Sequence, residues 1–250
     1  MLSIITPCFN SEKYIEACIK NVISQNYSEV EHIIVDGAST DNTVNIIKEY
    51  AEKHPHIRWV SEKDKGQSDA MNKGIEMAKY DIISFLNVDD YYEPNVFSRV
   101  MPMFKNLPPD SFVVGNCNLW DSKGKLIGIN KPDKTTLYDI LIWRRFPANP
   151  SAYFYHKSIH DKIGGYKLVN KNMDLYFILE TVQVANIKYI DELFGNFCIV
   201  ENSKTDEALD NDTMYQEVRE IMLKYKHKLT FIDRNRMRFV TLKKMLGIYK

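Results

Sequence analysis

An α/β fold with a mostly parallel central sheet flanked by helices is what this sequence predicts, with a small antiparallel part in the second half and a helical tail at the C-terminus. Three observations carry that expectation. Through residues 2–105, short β-prone apolar runs alternate with segments whose apolar positions recur at a roughly 3.6-residue period. The run Ile82, Ile83, Phe85, Leu86 lacks the alternation of a half-exposed strand and has the length of one buried on both faces. It is followed at once by paired carboxylates, Asp89 and Asp90, and ligands of open α/β sheets bind beyond the carboxyl ends of the strands.

Residues 2–6 read as the first strand, which Pro7 is expected to end. Ser11 is placed to cap a helix that turns Tyr14, Ile15, Cys18, Ile19, Val22 and Ile23 inward. His32 to Val35 form a second buried strand ending on Asp36, and Thr40 or Asp41 caps a helix with Val44, Ile47 and Ala51 on its core face. Residues 57–60 are a third strand, the loop SEKDKGQSD follows, and a helix over 68–79 leads to the strand at 82–86. Right-handed crossovers between parallel strands then bring Thr6, Asp36, Glu62 or Asp64, and Asn87 to Asp90 to one carboxyl edge.

Pro94 suits the first turn of a helix carrying Val96, Phe97, Val100, Met103 and Phe104, and Pro108-Pro109 closes this half. The second half predicts strands at 112–114, 117–120 and 126–129, the last two joined by the turn Asp121 to Gly124. A helix over 135–145, a strand over 151–155, a helix over 157–163 stopped by Gly164-Gly165, a helix over 173–184 and strands at 187–190 and 194–200 complete it.

Lys and Arg (33) balance Asp and Glu (33), so no global charge points to nucleic acid or another polyanion. Cys8, Cys18, Cys117 and Cys198 form no CxxC pair, which fits reduced thiols in a cytoplasmic protein better than a disulfide framework or a zinc site. The N-terminus does not read as a secretory signal, and no run approaches the roughly 20 apolar residues of a membrane-spanning helix. From Lys224 onward, nine Lys or Arg stand against one acid, Asp233, among interleaved apolar residues. That tail is either a helix packed on the domain with a solvated basic face or an interfacial helix on an anionic membrane.

A carboxylate at the end of the second strand can accept from a nucleobase N–H or a ribose hydroxyl. One at the end of the fourth can hold Mg²⁺ or Mn²⁺ against a diphosphate, and no Cys/His cluster competes for a softer metal. No GxxxxGK(S/T) loop and no GxGxxG follows the first strand. Simpler roles stand beside these: Asp36 before Gly37 also starts a turn, Asp89 and Asp90 also cap the next helix region, and Asp174 also caps the helix it begins. His54-Pro-His56 reads as solvated surface.

The runs SIITPCFNSEKYI, EHIIVDGASTDNT and EKDKGQSDAMNKGIEMAKYDIISFLNVDDYYEP, in that order, resemble the inverting glycosyltransferases of family 2, whose fold is GT-A. The resemblance is strong over residues 2–105 and continues weakly to about 185. It implies nucleotide binding by Asp36 and by Asp64, Lys65, Gly66 and Gln67, with Thr6, Pro7, Asn87 and Val88 on the same donor side. NVDD occupies the place of the DxD motif, which implies Asp89 as the metal ligand and Asp90 as a secondary one; Asn87 stands where the first acid is expected. The segment PANPSAYFYHKSIHDKIGGYKLVNKNMDLYFIL is similar to the family region that carries the general base, and Asp174 matches that acid. Trp143, Arg144 and Asn149 are acceptor-side candidates. The QxxRW motif of processive synthases is absent, since Gln183 is followed by Val-Ala-Asn.

The resemblance therefore implies a donor-binding half over 1–108, an acceptor-binding half of the same domain over 109–203 and a basic helical tail over 204–250. The expected reaction is single transfer from a nucleoside diphosphate sugar, UDP-linked by preference, to a saccharide or lipid-linked glycan. The expected location is cytoplasmic, with the tail as a route to the cytoplasmic face of a membrane. A nucleotidyltransferase of related fold and an inactive nucleotide-sugar-binding scaffold are the alternatives.

Overall fold

The computed structural model describes residues 1–169, 172–201 and 212–245. Its first half is the expected alternation: β1 (Leu2–Cys8), α1 (Ile15–Ser24), β2 (Val30–Asp36), α2 (Thr43–Lys53), β3 (Ile57–Ser61), α3 (Gln67–Met77) and β4 (Ile82–Phe85). These four strands are parallel in the order β3-β2-β1-β4, with Cys8, Asp36 and Ser61 in register at their carboxyl ends. Both faces are covered, so alternate residues serve different cores. Leu2 and Ile4 meet α1 and the later helix α4 (Val96–Phe104), whereas Ile5 and Ile33 meet Ala70 and Met71 of α3. Gly74 lets α3 lie close, because a Cβ there would stand 2.3 Å from Ile5 Cγ2.

The second half extends the same sheet. It contains β5 (Tyr91–Tyr92), β6 (Ser111–Trp120), β7 (Leu126–Asn130), β8 (Tyr153–His156) and β9 (Asn186–Cys198). The order continues β4-β8-β6-β9-β5, with β7 hairpinned onto β6. β8 is antiparallel to β4 and β6, β6 is parallel to β9, and β5 and β7 add antiparallel edges. The mostly parallel α/β sheet with a smaller antiparallel part is therefore present. Its helices are α5 (Leu137–Trp143), α6 (Ile159–Ile163) and α7 (Met173–Thr181).

Several local expectations need correction. β1 runs through Pro7 to Cys8, because Pro7's missing N–H faces the side where β4 has already ended at Phe85. The two strands expected at 112–114 and 117–120 are one irregular strand, with its register shifting around Gly115. A Cβ on Gly115 would lie 2.4 Å from the Phe194 ring, so glycine admits that side chain between the strands. Likewise 187–190 and 194–200 fall within the single strand β9 and the residues just after it. Ser11 does not cap α1 through its side chain; its carbonyl accepts from Tyr14 and Ile15 while its hydroxyl donates to Phe9 O.

The tail forms α8 (Asp212–Tyr225) and α9 (Phe231–Met245); the expected tail residues 204–211 and 246–250 lie outside the described residues. Ile221, Met222 and Tyr225 join the main core, and Tyr225 Oη and Lys228 Nζ donate to Glu180 of α7 at 2.7 and 3.0 Å. Phe231 and Ile232 remain exposed. Among the described residues no helix is long and apolar enough to cross a membrane.

Candidate active site

The parallel strands end together, and the loops that follow them enclose a cleft of about 420 Å³. It is lined by Pro7, Cys8, Phe9 and Ser11 after β1, by Asp64, Gly66, Gln67 and Ala70 before and on α3, by Asn87, Val88 and Asp89 after β4, and by Phe197 of β9. Of the residues singled out in the sequence, Pro7, Asp64, Gly66, Gln67, Asn87, Val88 and Asp89 thus share one wall set. Gly37 makes room for Asp64, since a Cβ there would stand 2.7 Å from Asp64 Oδ2. Asp64 Oδ1 in turn accepts from Gly66 N at 2.8 Å, which shapes the turn that opens α3. Gly66 itself sits at φ 109°, a conformation glycine adopts without strain.

Among the described lining residues the acids are Asp64 and Asp89, and there is no Lys, Arg or His. Asp89 is partly withdrawn from water, and burial raises its carboxyl above the ordinary range. The described cleft wall thus carries two acids and no cation, with the exposed Lys65 on the segment between Asp64 and Gly66. The described residues contain no group of three or more His, Cys, Asp or Glu arranged to hold a metal alone. A hard cation held by one or two carboxylates and completed by phosphate and water oxygens matches that donor set.

Other candidates lie behind the wall. Asp36 is fully buried: Ser39 N and Ser61 Oγ donate to its Oδ2 at 2.9 and 2.6 Å, and Ser39 Oγ donates to its Oδ1. Thr6 is buried, bonded to His32 Nε2 at 2.9 Å, and does not line the cleft. Burial pushes His32 down to about 3, so it stays a neutral ring there. Lys65 is exposed, and its backbone N–H donates to Asp69. Trp143 and Arg144 lie at the end of α5, with Arg144 in the left-handed region at φ 53°, and neither lines the cleft.

Asp90 turns inward. Its Oδ2 accepts from Asn87 Nδ2 at 2.9 Å and Asn149 Nδ2 at 2.7 Å, and its Oδ1 from Cys198 N at 3.0 Å. Burial, then the neighbouring Asp89 charge, raise it to about 8. Asn87 also accepts from Gln67 Nε2 at 3.0 Å, so a chain Gln67–Asn87–Asp90–Asn149 ties the mouth of α3 to the second half. Asn149→Ala is expected to cost about 1–3 kcal/mol by leaving Asp90 one donor short, read as a lower urea midpoint with unchanged m.

Asp174 sits in the first turn of α7, half-buried, with Oδ1 shut from solvent and without a hydrogen-bond partner among the described residues. Burial raises it to about 6. It does not line the cleft, but Met173 beside it accepts from Ser68 Oγ of α3 at 2.9 Å, so the α7 and α3 N-termini adjoin. Phe9 and Phe197 were not foreseen as lining residues. The signal for Phe9 was its place between Pro7 and the first helix; nothing local marked Phe197.

A family model described as Glycosyl transferase family 2 matches residues 3–175. The chain is 36% identical over 117 residues to Uncharacterized glycosyltransferase YibD of Escherichia coli (strain K12), covering 47% of this chain and 33% of that one. It is 27% identical over 215 residues to a chondroitin synthase of Escherichia coli, covering 84% of this chain and 30% of that one. It thus spans about a third of the length of these relatives. Among solved structures, Staphylococcus aureus TarS 1–349 in complex with UDP-GlcNAc superposes with a TM-score of 0.70 at 16% identity, covering 93% of this chain and 77% of that one. The mannosyltransferase PcManGT of Pyrobaculum calidifontis, in complex with GDP-Man and Mn²⁺, gives 0.61 at 14% identity, covering 100% and 81%.

Proposed function

The chain belongs to glycosyl transferase family 2, and on that premise we propose that it transfers one sugar, with inversion, from a nucleoside diphosphate sugar to a hydroxyl acceptor. The observation that carries this reading is the cleft at the strand ends, walled by acids without a protein cation. Such a cleft suits a diphosphate that arrives with Mg²⁺ or Mn²⁺ and disfavours a bare anion. Fold neighbours whose complexes hold UDP-GlcNAc, or GDP-Man with Mn²⁺, support it. UDP is the favoured donor base, and a saccharide or lipid-linked glycan of surface polysaccharide assembly the favoured acceptor.

In this proposal Asp89, with Asp64 of the same cleft lining, holds the cation, and Asp36 receives the nucleoside once its serine donors yield. The Phe9 ring, 59% exposed at the cleft, offers a face for the base. When bound, the cation would neutralise the charge that develops on the leaving diphosphate. Asp174 takes the proton of the attacking acceptor hydroxyl from the face opposite the leaving group, which inversion requires. The halves 1–108 and 109–203 correspond to donor and acceptor sides, and the exposed start of α9 is the membrane-facing element if the acceptor is lipid-linked.

The test is incubation of UDP-, GDP-, dTDP- and CDP-sugars and Mn²⁺ with a panel of saccharide acceptors, the configuration of the glycoside product read by proton NMR, beside a parallel incubation with nucleoside triphosphates and sugar phosphates. Release of one nucleoside diphosphate with an inverted anomeric centre is the expected result. Release of pyrophosphate from a nucleoside triphosphate would support a nucleotidyltransferase instead, and binding without turnover would support the scaffold.

A further inference from the structure

Beneath the N-terminal turn of α7 lies a group of aromatic side chains that the proposed reaction does not yet use. Tyr153 and Tyr155 are two apart on β8 and so point to the same face of the sheet. Tyr166 follows α6, and Phe177, three residues after Asp174 on the same helix face, lies among them. The Phe177 ring stacks on Tyr166 at 4.6 Å and 21°, and its centroid is 5.1 Å from Tyr155 and 6.1 Å from Tyr153. Tyr155 Oη is engaged with His160 Nε2 at 2.9 Å, and His160 Nδ1 with Gly164 O at 2.8 Å.

Three polar atoms in this cluster are buried and lack a hydrogen-bond partner among the described residues: Tyr153 Oη, Tyr166 Oη and Asp174 Oδ1. The two phenols lie near enough to interact with each other, and Asp174 Oδ1 is an acceptor. Phenylalanine would fill either tyrosine position equally well, so the hydroxyls are what needs explaining, and buried polar groups without partners are rare in native proteins. The Asp174 charge is felt at all three phenols, which burial holds far above their ordinary range and therefore protonated. His160, from α6, is pushed below its ordinary value by burial and is neutral. Lys167, the cation on the adjoining segment, is occupied over the Tyr176 ring and beside Glu180. Among these neighbours the phenol hydroxyls are the groups able to donate toward the Asp174 carboxylate across a bridging water.

We infer that Tyr153 and Tyr166 are positioning residues for Asp174, their hydroxyls reaching its inward oxygen through a shared water, so that the other oxygen is presented to the acceptor. The inference rests on Asp174 being the base. Its test compares wild type with Tyr153→Phe, Tyr166→Phe and the double variant, using two readouts. One is the Asp174 side-chain carboxyl titration by ¹³C NMR. The other is the pH dependence of kcat with saturating donor.

Loss of both donors is expected to raise the Asp174 titration and the acid limb of kcat by about one pH unit, with the donor KM unchanged. Each single variant should give a smaller shift in the same direction. A carboxyl titration identical in wild type and the folded double variant overturns the inference, whatever the activity. If the titration moves but Asp174→Asn turns over like wild type, the hydrogen bonds stand, while the base reading and the positioning role fall together.

Discussion

Asp89→Asn is expected to lower turnover of the donor by about a hundredfold or more and to abolish the Mn²⁺ dependence of nucleoside diphosphate binding. The magnitude follows from the several kcal/mol of leaving-group stabilisation that a bound cation supplies, at about 1.4 kcal/mol per tenfold. The sign for binding is less obvious. The described cleft wall has two acids and no cation, so removing one carboxylate also removes a repulsion. UDP without metal should therefore bind the variant at least as well as wild type, and added Mn²⁺ should no longer tighten it. Because burial already disfavours the Asp89 charge, the amide should fold as well as the acid. Calorimetric titration of UDP with and without Mn²⁺, beside steady-state rates, checks each part, and a variant with undiminished metal dependence would remove Asp89 from the site.

Asp174→Asn is expected to reduce kcat by about 10²–10⁴-fold, the usual contribution of a positioned base, while UDP affinity stays within about twofold. With the folded-state carboxyl raised to about 6, wild-type activity should fall as pH drops through that value, because the protonated acid cannot accept the hydroxyl proton. The sign for stability is opposite. A raised folded-state value contributes stability that is present below the ordinary carboxylate range, near 4, and is lost as pH rises through about 6. At neutral pH the asparagine variant should melt no lower than wild type. A variant that keeps wild-type kcat across this range would leave Asp174 only its place in the helix start.

Much of the cleft wall was legible because its residues follow strands whose burial is written in short apolar runs. Asp64, Gln67, Asn87, Val88 and Asp89 are each a few positions past a strand end or beside a helix start, and parallel topology then brings them together. What periodicity could not convey were contacts between distant strands. Asn149 reaches Asp90 across 59 positions, Cys198 N reaches it across 108, and Phe197 completes the cleft from a strand read as two. The inward turn of Asp90 depends on those partners, so adjacency to Asp89 suggested a shared role that the hydrogen bonds do not favour. Pro7 was read as a stop because the length of β4, which decides whether its missing N–H matters, is set elsewhere. Nothing in the sequence singles out the tyrosines under α7; their burial close to Asp174 is what sets their hydroxyls apart.

The most direct measurement of the central claim is the affinity of the wild-type protein for UDP, GDP, dTDP and CDP by calorimetry, each with and without Mn²⁺. The proposed donor site predicts that one of the four binds, that Mn²⁺ tightens it, and that UDP is the one. No binding by any nucleoside diphosphate, with or without the metal, would contradict it.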